Sequence, residues 1–399
     1  MHIQASYSAD VILLGSSSKL RLLVINLALV PGGELVNSPT AQSLGHWQQF
    51  VREFPIKIIN QNMKIFFAVL ISLCLLSCNE SKKTKADIRG QINYELVKWP
   101  QLPEGFSLGQ VSGIGIDTSQ NIFLFHRAKR RWKTLNEVFP DTPISANTIL
   151  LLDNESGKLL KSWGANLFIM PHGLTVDNEN NVWVTDVGLQ QIFKFTHDGK
   201  LLMTLGVAKV AGNDSLHFNY PTDVAVANDG SFYVSDGYRN SRVVKFSKEG
   251  KYLFEWGKKG DKPGEFNIPH SLAIDENNII YVADRQNNRV QLFDTAGNFI
   301  KELKNDVNVE QLPAVAIDNA NHLFAVDYDP TKGADSLVKG STIFEIDPSS
   351  HSKVRFGANA STNRTSCWFH DLAFDKKGNI YVGDIKGSKV LKYKPKKSN

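Results

Sequence analysis

The chain has 399 residues, 42% of them hydrophobic and 21% charged, with three cysteines and a formal net charge of +5. That balance excludes an intrinsically disordered chain, a polytopic membrane protein and a disulfide-rich secreted scaffold. With 45 basic against 40 acidic side chains, it lacks the concentrated positive charge that nucleic acid requires, so no nucleic-acid partner is expected.

Residues 1–62 carry neither helical nor strand periodicity and read as an upstream segment, the start codon having been assigned too early. From Met63 a charged start, the apolar run Ile65 to Leu76 and the small residues Ser77-Cys78-Asn79 form a secretory signal, too short for a spanning helix. The ending Leu75-Leu76-Ser77-Cys78 resembles a bacterial lipobox, in which the Cys becomes the lipidated first residue; an uncleaved anchor is the alternative. The expectation is therefore a signal peptide over 63–77, a tether over 78–92 joined to the membrane through lipidated Cys78, and a monomeric domain over 93–399 in the cell envelope, periplasmic or surface-exposed. Cys367 is then the one free thiol, and it lacks a His-paired cysteine-enzyme signature, so it reads as a packed structural residue. The Lys-rich stretch Lys386 to Lys397 reads as a solvated end.

Past residue 105 one unit returns. Pro171-His172-Gly173-Leu174-Thr175-Val176-Asp177 leads to Val182-Trp183-Val184-Thr185-Asp186, and Pro269-His270-Ser271-Leu272-Ala273-Ile274-Asp275 leads to Tyr281-Val282-Ala283-Asp284. Further copies run Pro221 to Asp236, Pro313 to Asp327 and Phe369 to Asp384, with a degenerate one from Val111 to His126. Short β-branched and aromatic strands separated by Asn-Asn, Asp-Gly and Lys-Gly turns are hairpins, and a repeat of roughly 40 to 50 residues with four strands is a propeller blade. The fold class is all-β, a six-bladed β-propeller. Blade six ends near the C-terminus with Lys389 to Tyr393 as its third strand, so its outer strand is expected from Asn93 to Val97, which removes a sheet edge. Asp186, Asp236, Asp284, Asp327 and Asp384 end the second strand in successive blades and read as structural residues.

Aligning the units gives Ser112, His172, Thr222, His270, Ala314 and His370 at one register position. Histidine thus occupies blades two, four and six, and in a closed ring these converge on the axis as the corners of a triangle. Three neutral imidazoles with an open fourth position suit a catalytic zinc. Any one of them alone would read as a hydrogen-bonded core histidine.

Phe125-His126-Arg127, Pro171-His172-Gly173-Leu174, Ser235-Asp236-Gly237-Tyr238, Phe266-Asn267-Ile268-Pro269-His270-Ser271-Leu272, Ala283-Asp284-Arg285 and His370-Asp371 resemble peptidyl-α-hydroxyglycine α-amidating lyases, propellers of the NHL-repeat class. The resemblance covers about residues 98 to 396. It implies cleavage of the C–N bond of a peptide ending in α-hydroxyglycine, giving a peptide amide and glyoxylate. It further implies zinc on His172, His270 and His370, a substrate-holding role for Arg127, and Tyr238 as base or proton shuttle. Asp371 would be a further active-site residue reaching a structural calcium that also takes the carbonyls of Ile114 and Leu174. Arg285 joins the catalytic candidates, although it and Arg289 also suit generic repeat packing. The family's usual Met-Pro before the last His-Asp is here Trp368-Phe369, which makes Trp368 a substrate-binding candidate on a changed pocket wall. Two rivals remain: a non-catalytic NHL-repeat binding module on a membrane, and a calcium-dependent lactonase, whose carboxylate and Asn ligands do not fit three histidines.

Overall fold

The computed structural model describes residues 94–304, 311–332, 338–346, 352–357 and 367–396. The upstream segment, the signal, the tether and Cys78 lie outside these residues. By internal contacts the chain divides into Met1–Lys82 and Lys83–Asn399, and every described residue belongs to the second unit. Among the described residues no helix is long and apolar enough to cross a membrane.

The hairpin repeats fold into six antiparallel sheets. Blade one runs Val111–Ile116, Ile122–His126, Ile149–Leu152 and Leu159–Trp163; blade two, Pro171–Val176, Val182–Asp186, Gln191–Phe195 and Leu201–Leu205. Blade three begins with Pro221–Val226 and blade four with Pro269–Ile274, followed by Gln311–Ile317 in blade five and Phe369–Phe374 in blade six. The inner strands touch in order, one through six and back to one, so the ring is closed. Burial explains the amino-acid pattern. The second strands, Val182–Asp186 and Phe232–Asp236 among them, are buried throughout, whereas the outer strand Tyr252–Trp256 alternates between half-buried and exposed. Apolar side chains of neighbouring blades fill the wedges between sheets, as where Ala225, Tyr233 and Val243 of blade three meet Leu272, Val282 and Phe293 of blade four.

Blade six is closed as expected. Tyr94–Val97 pairs antiparallel with the strand Lys389–Pro395, Tyr94 opposite Pro395 and Val97 opposite Lys392. One expectation is corrected here: the Lys386 to Lys397 stretch is not simply a solvated end. Lys392 is fully buried, its ammonium donating to the Asn154 carbonyl and lying over the rings of Trp99 and Tyr381. A carbonyl and two aromatic faces replace the water that a buried ammonium would otherwise lose.

Each inner strand is bulged where it begins. The register with the second strand shifts between Val111 and Gly113, Pro221 and Asp223, Pro269 and Ser271, and Phe369 and Asp371, with longer irregularities in blades two and five. The unpaired residues are thus Ser112, Thr222, His270 and His370, and the irregularity in blade two contains His172. A bulge frees one side chain from the alternation of the pleat and re-aims it, here toward the propeller axis.

Candidate metal centre and pocket

The aspartates that end the second strands hold these bulges in place. Asp186 accepts the N–H groups of Ile169 and Met170, Asp284 that of Asn267, and Asp384 that of Trp368, all within a few residues of a site histidine. Their structural role is as the sequence suggested.

His172, His270 and His370 are buried, and one ring nitrogen from each lies within 4.8 Å of the others. Odd-numbered blades set their tautomers. The Nδ1–H of His172 donates to the Thr222 carbonyl at 2.7 Å, that of His270 to Pro313 at 2.7 Å, and that of His370 to Ser112 at 2.8 Å. A carbonyl can only accept, so each Nδ1 carries the proton and each Nε2 presents a lone pair. Burial, the other imidazoles and Arg127 and Arg285 hold all three well below the ordinary histidine range, hence neutral.

Tyr238 reaches this centre from blade three. Its turn is possible because Gly237 presses against blade four, where an added Cβ would stand 1.9 Å from the Pro269 carbonyl. The phenol oxygen lies 2.9 Å from His172 Nε2 and 2.8 Å from His270 Nε2. One hydroxyl proton serves only one of these two lone pairs. The donor set therefore fits a cation: three converging neutral imidazole nitrogens are a zinc-type ligand set, with backbone carbonyls as the orienting partners such ligands require. Burial pushes the Tyr238 phenol above its usual 10 against the opposing pull of Arg285 and Arg127.

A cleft opens beside the histidines, lined by Arg127, Trp132, Tyr238, Arg285, Trp368 and His370 among others. Arg127 lies in a basic run yet is 1% exposed. Its Nε donates to the Pro171 carbonyl and its Nη1 to Gln110 Oε1, both at 2.9 Å, while Nη2 has no partner among the described residues. Arg285, at the same register position on the opposite blade, is hydrogen-bonded to Gln311 Oε1 and lies over the rings of Tyr238 and Trp368. Arg289 separates from it cleanly, binding Asp284 and Glu302 away from the pocket. Trp368 stacks flat on Tyr328, with ring centroids 4.2 Å apart.

Asp371 lies on the axis beneath His370, accepting the Ile114 N–H at 2.7 Å and the Leu372 N–H at 2.9 Å. Burial and the neighbouring carboxylate of Asp223 push it well above the usual range, and burial raises Asp223 to about 7. Asp223 was not singled out from the sequence, although it follows Thr222 as Asp371 follows His370. Trp132 was missed as well. It belongs to the long connection after blade one's second strand, where no repeat pattern flags it, and its ring lies 4.7 Å from that of Tyr238 and 6.1 Å from that of His172. Cys367 is buried, and its thiol is pushed up to about 11 by burial, which leaves it inert.

A closed six-bladed propeller with three converging histidines on alternate blades is the class of protein defined so far. The family described as "6-bladed beta-propeller" matches residues 209–365 and the "NHL repeat" matches residues 168–195. The "Peptidyl-glycine alpha-amidating monooxygenase A" of Xenopus laevis is 38% identical over 315 residues, 75% of this chain and 33% of that protein. A "Probable peptidyl-alpha-hydroxyglycine alpha-amidating lyase" of Caenorhabditis elegans is 43% identical over 195 residues, 47% of this chain and 56% of that protein. Among solved structures, a catalytically inactive virginiamycin B lyase from Staphylococcus aureus with quinupristin matches at TM-score 0.50 and 14% identity, covering 76% of this chain and 99% of that one, which bears on the fold alone. The chain is thus a six-bladed propeller carrying an NHL repeat, similar over its blades to proteins named as peptidyl-α-hydroxyglycine α-amidating lyases. It spans about a third of the longer Xenopus relative's length.

Proposed function

We propose that the chain is a zinc-dependent carbon–nitrogen lyase that converts a peptide ending in α-hydroxyglycine into the peptide amide and glyoxylate. The observation that carries this is the set of three Nε2 lone pairs, each fixed by a carbonyl from the next blade and all converging beside a cleft with an unpartnered guanidinium N–H. His172, His270 and His370 would hold the zinc, which when bound would supply Lewis acidity for ionising the hemiaminal hydroxyl. Arg127 binds the substrate carboxylate through Nη2 and orients the carbon that will become the aldehyde. As the C=O double bond forms, Tyr238 Oη takes up the hydroxyl proton while handing its own proton on, so the phenol is neutral before and after. The C–N electron pair then passes to the amide nitrogen, which takes a proton relayed by the same phenol. No electrons are gained or lost overall. Arg285 lowers the cost of phenolate character at Tyr238 from across the ring. Trp132 and Trp368 wall the cleft against water and bear on the residue preceding the hydroxyglycine.

Calcium is the second ion of the proposal, near Asp371 and the backbone of Ile114 and Leu174. Two buried, mutually repelling carboxylates, Asp223 and Asp371, are an oxygen-rich environment that suits such a cation. The protein is further proposed to act as an exported monomer tethered through lipidated Cys78. Mass spectrometry of the mature N-terminus tests this, and peptides from before Met63 would count against it.

The deciding experiment is zinc stoichiometry on the purified domain together with glyoxylate release from α-hydroxyhippurate. One zinc per chain and metal-dependent release are expected. Metal-free protein with no release refutes the lyase and leaves a binding module.

A further inference from the structure

Gln110 stands two residues before Ser112, where the chain enters blade one, and it is 7% exposed. Its Oε1 accepts two donors at once, Arg127 Nη1 at 2.9 Å and the main-chain N–H of Trp132 at 2.9 Å. Both partners only donate, which fixes the amide with its oxygen toward them. The main-chain carbonyl of Gln110 also takes the N–H of Arg127 at 3.0 Å. Beside it, Gly109 approaches the connection so closely that a Cβ would lie 2.0 Å from the Ala128 carbonyl oxygen. The segment entering blade one and the connection leaving its second strand are thus joined along a seam, with the Gln110 amide spanning from the pocket arginine to the pocket tryptophan.

The residue type matters as much as its place. A carboxylate here would neutralise Arg127, whereas an amide oxygen orients the guanidinium as a dipole and leaves its full charge for an incoming anion. Trp132 gains in the same way: its ring stays 5.4 Å from the Arg127 guanidinium carbon and packs edge-on against Phe139. We propose that Gln110 is a positioning residue that fixes Arg127 and Trp132 to each other, so that the cation and the aromatic wall of the cleft meet the substrate as one unit. The kinetic half of this rests on the lyase function proposed above; the structural half does not.

Amide hydrogen exchange at Trp132 in the full protein tests the structural half, and glyoxylate release from α-hydroxyhippurate tests the kinetic half. Gln110→Ala removes the acceptor, so exchange at Trp132 should quicken about tenfold while the amides of Ile122–His126 keep their rates, and KM should rise about tenfold with kcat falling less. Gln110→Glu retains the acceptor and should restore protection, but its charge should keep KM high. Unchanged exchange in Gln110→Ala overturns the proposal whatever the activity. Faster exchange with kcat and KM within about twofold of the starting protein overturns it too, because Gln110 would then order a loop without serving the site. If the unsubstituted protein releases no glyoxylate, the lyase function fails on its own, and protection at Trp132 lost in Gln110→Ala and recovered in Gln110→Glu still supports the joint.

Discussion

Arg127 and Arg289 are both buried at the ends of blade strands, yet their surroundings differ in kind. Arg289 in blade four binds Asp284 at 2.8 Å and Glu302 at 2.7 Å, then the carbonyls of Asp261, Lys262 and Glu265. Arg242 repeats the device in blade three with Asp236 and Glu255. Arg127 instead has a carbonyl, an amide oxygen and one N–H without a partner among the described residues. The first kind of arginine is satisfied by the fold and holds loops together; the second keeps its charge for something the fold does not contain. The three histidines belong with Arg127, since their outward nitrogens are satisfied by carbonyls while the inward lone pairs of His172 and His270 share the single hydroxyl proton of Tyr238.

Four measurements sharpen or break that division. At its extreme, His270→Ala should lower glyoxylate release by about 10⁴-fold, some 5 kcal/mol in barrier, abolish stoichiometric zinc and leave the metal-free melting temperature close to that of the parent. On the opposite side, Asp284→Ala strands Arg289 and should cost about 3–5 kcal/mol of unfolding free energy by denaturant titration, while kcat of the folded fraction falls only about tenfold through the loosened bulge at His270. Equal losses of stability and kcat there would erase the distinction between corner and centre.

The third measurement follows pH. His126 accepts the N–H groups of Gly109 and Ala128 on Nδ1, so its ring must be neutral, and burial lowers it from 6.5 to about 4. Because the folded value is the depressed one, the unfolded chain takes the proton first. Its contribution is full above about pH 6.5 and is lost as pH falls through 4, about 3 kcal/mol in all. The slope in that window should flatten in His126→Asn, and an equal slope in both proteins would show that His126 is not its source. The smallest effect is expected of Arg127→Lys, which keeps the charge but loses the planar fork: kcat/KM should fall about tenfold, mostly through KM, with the melting temperature little changed.

The blades were legible because their information is local. Each hairpin carries its own turn and alternating pattern, and aligned units place His172, His270 and His370 in one column. What escaped depends on closure of the ring or on chain outside the repeat. Gln110 and Trp132 meet across a seam that no periodicity marks, and Asp223 matters only because blade three faces blade six across the axis. Lys392 misled for a related reason: a basic residue in a basic run looks solvated, and only the carbonyl and rings around it show why it is not.

The pairing of Tyr94–Val97 with Lys392–Pro395 has a consequence for how the molecule is made. The last blade needs one strand from each end of the domain, and His370 sits in that blade. No nascent or proteolysed chain that stops before residue 370 holds all three site imidazoles, so the proposed metal site is complete only once the C-terminal strand has left the ribosome and docked. On the proposed function, metal uptake thereby becomes a molecular proof of completeness, acquired as the final act of folding by a chain whose longest-range contacts form last.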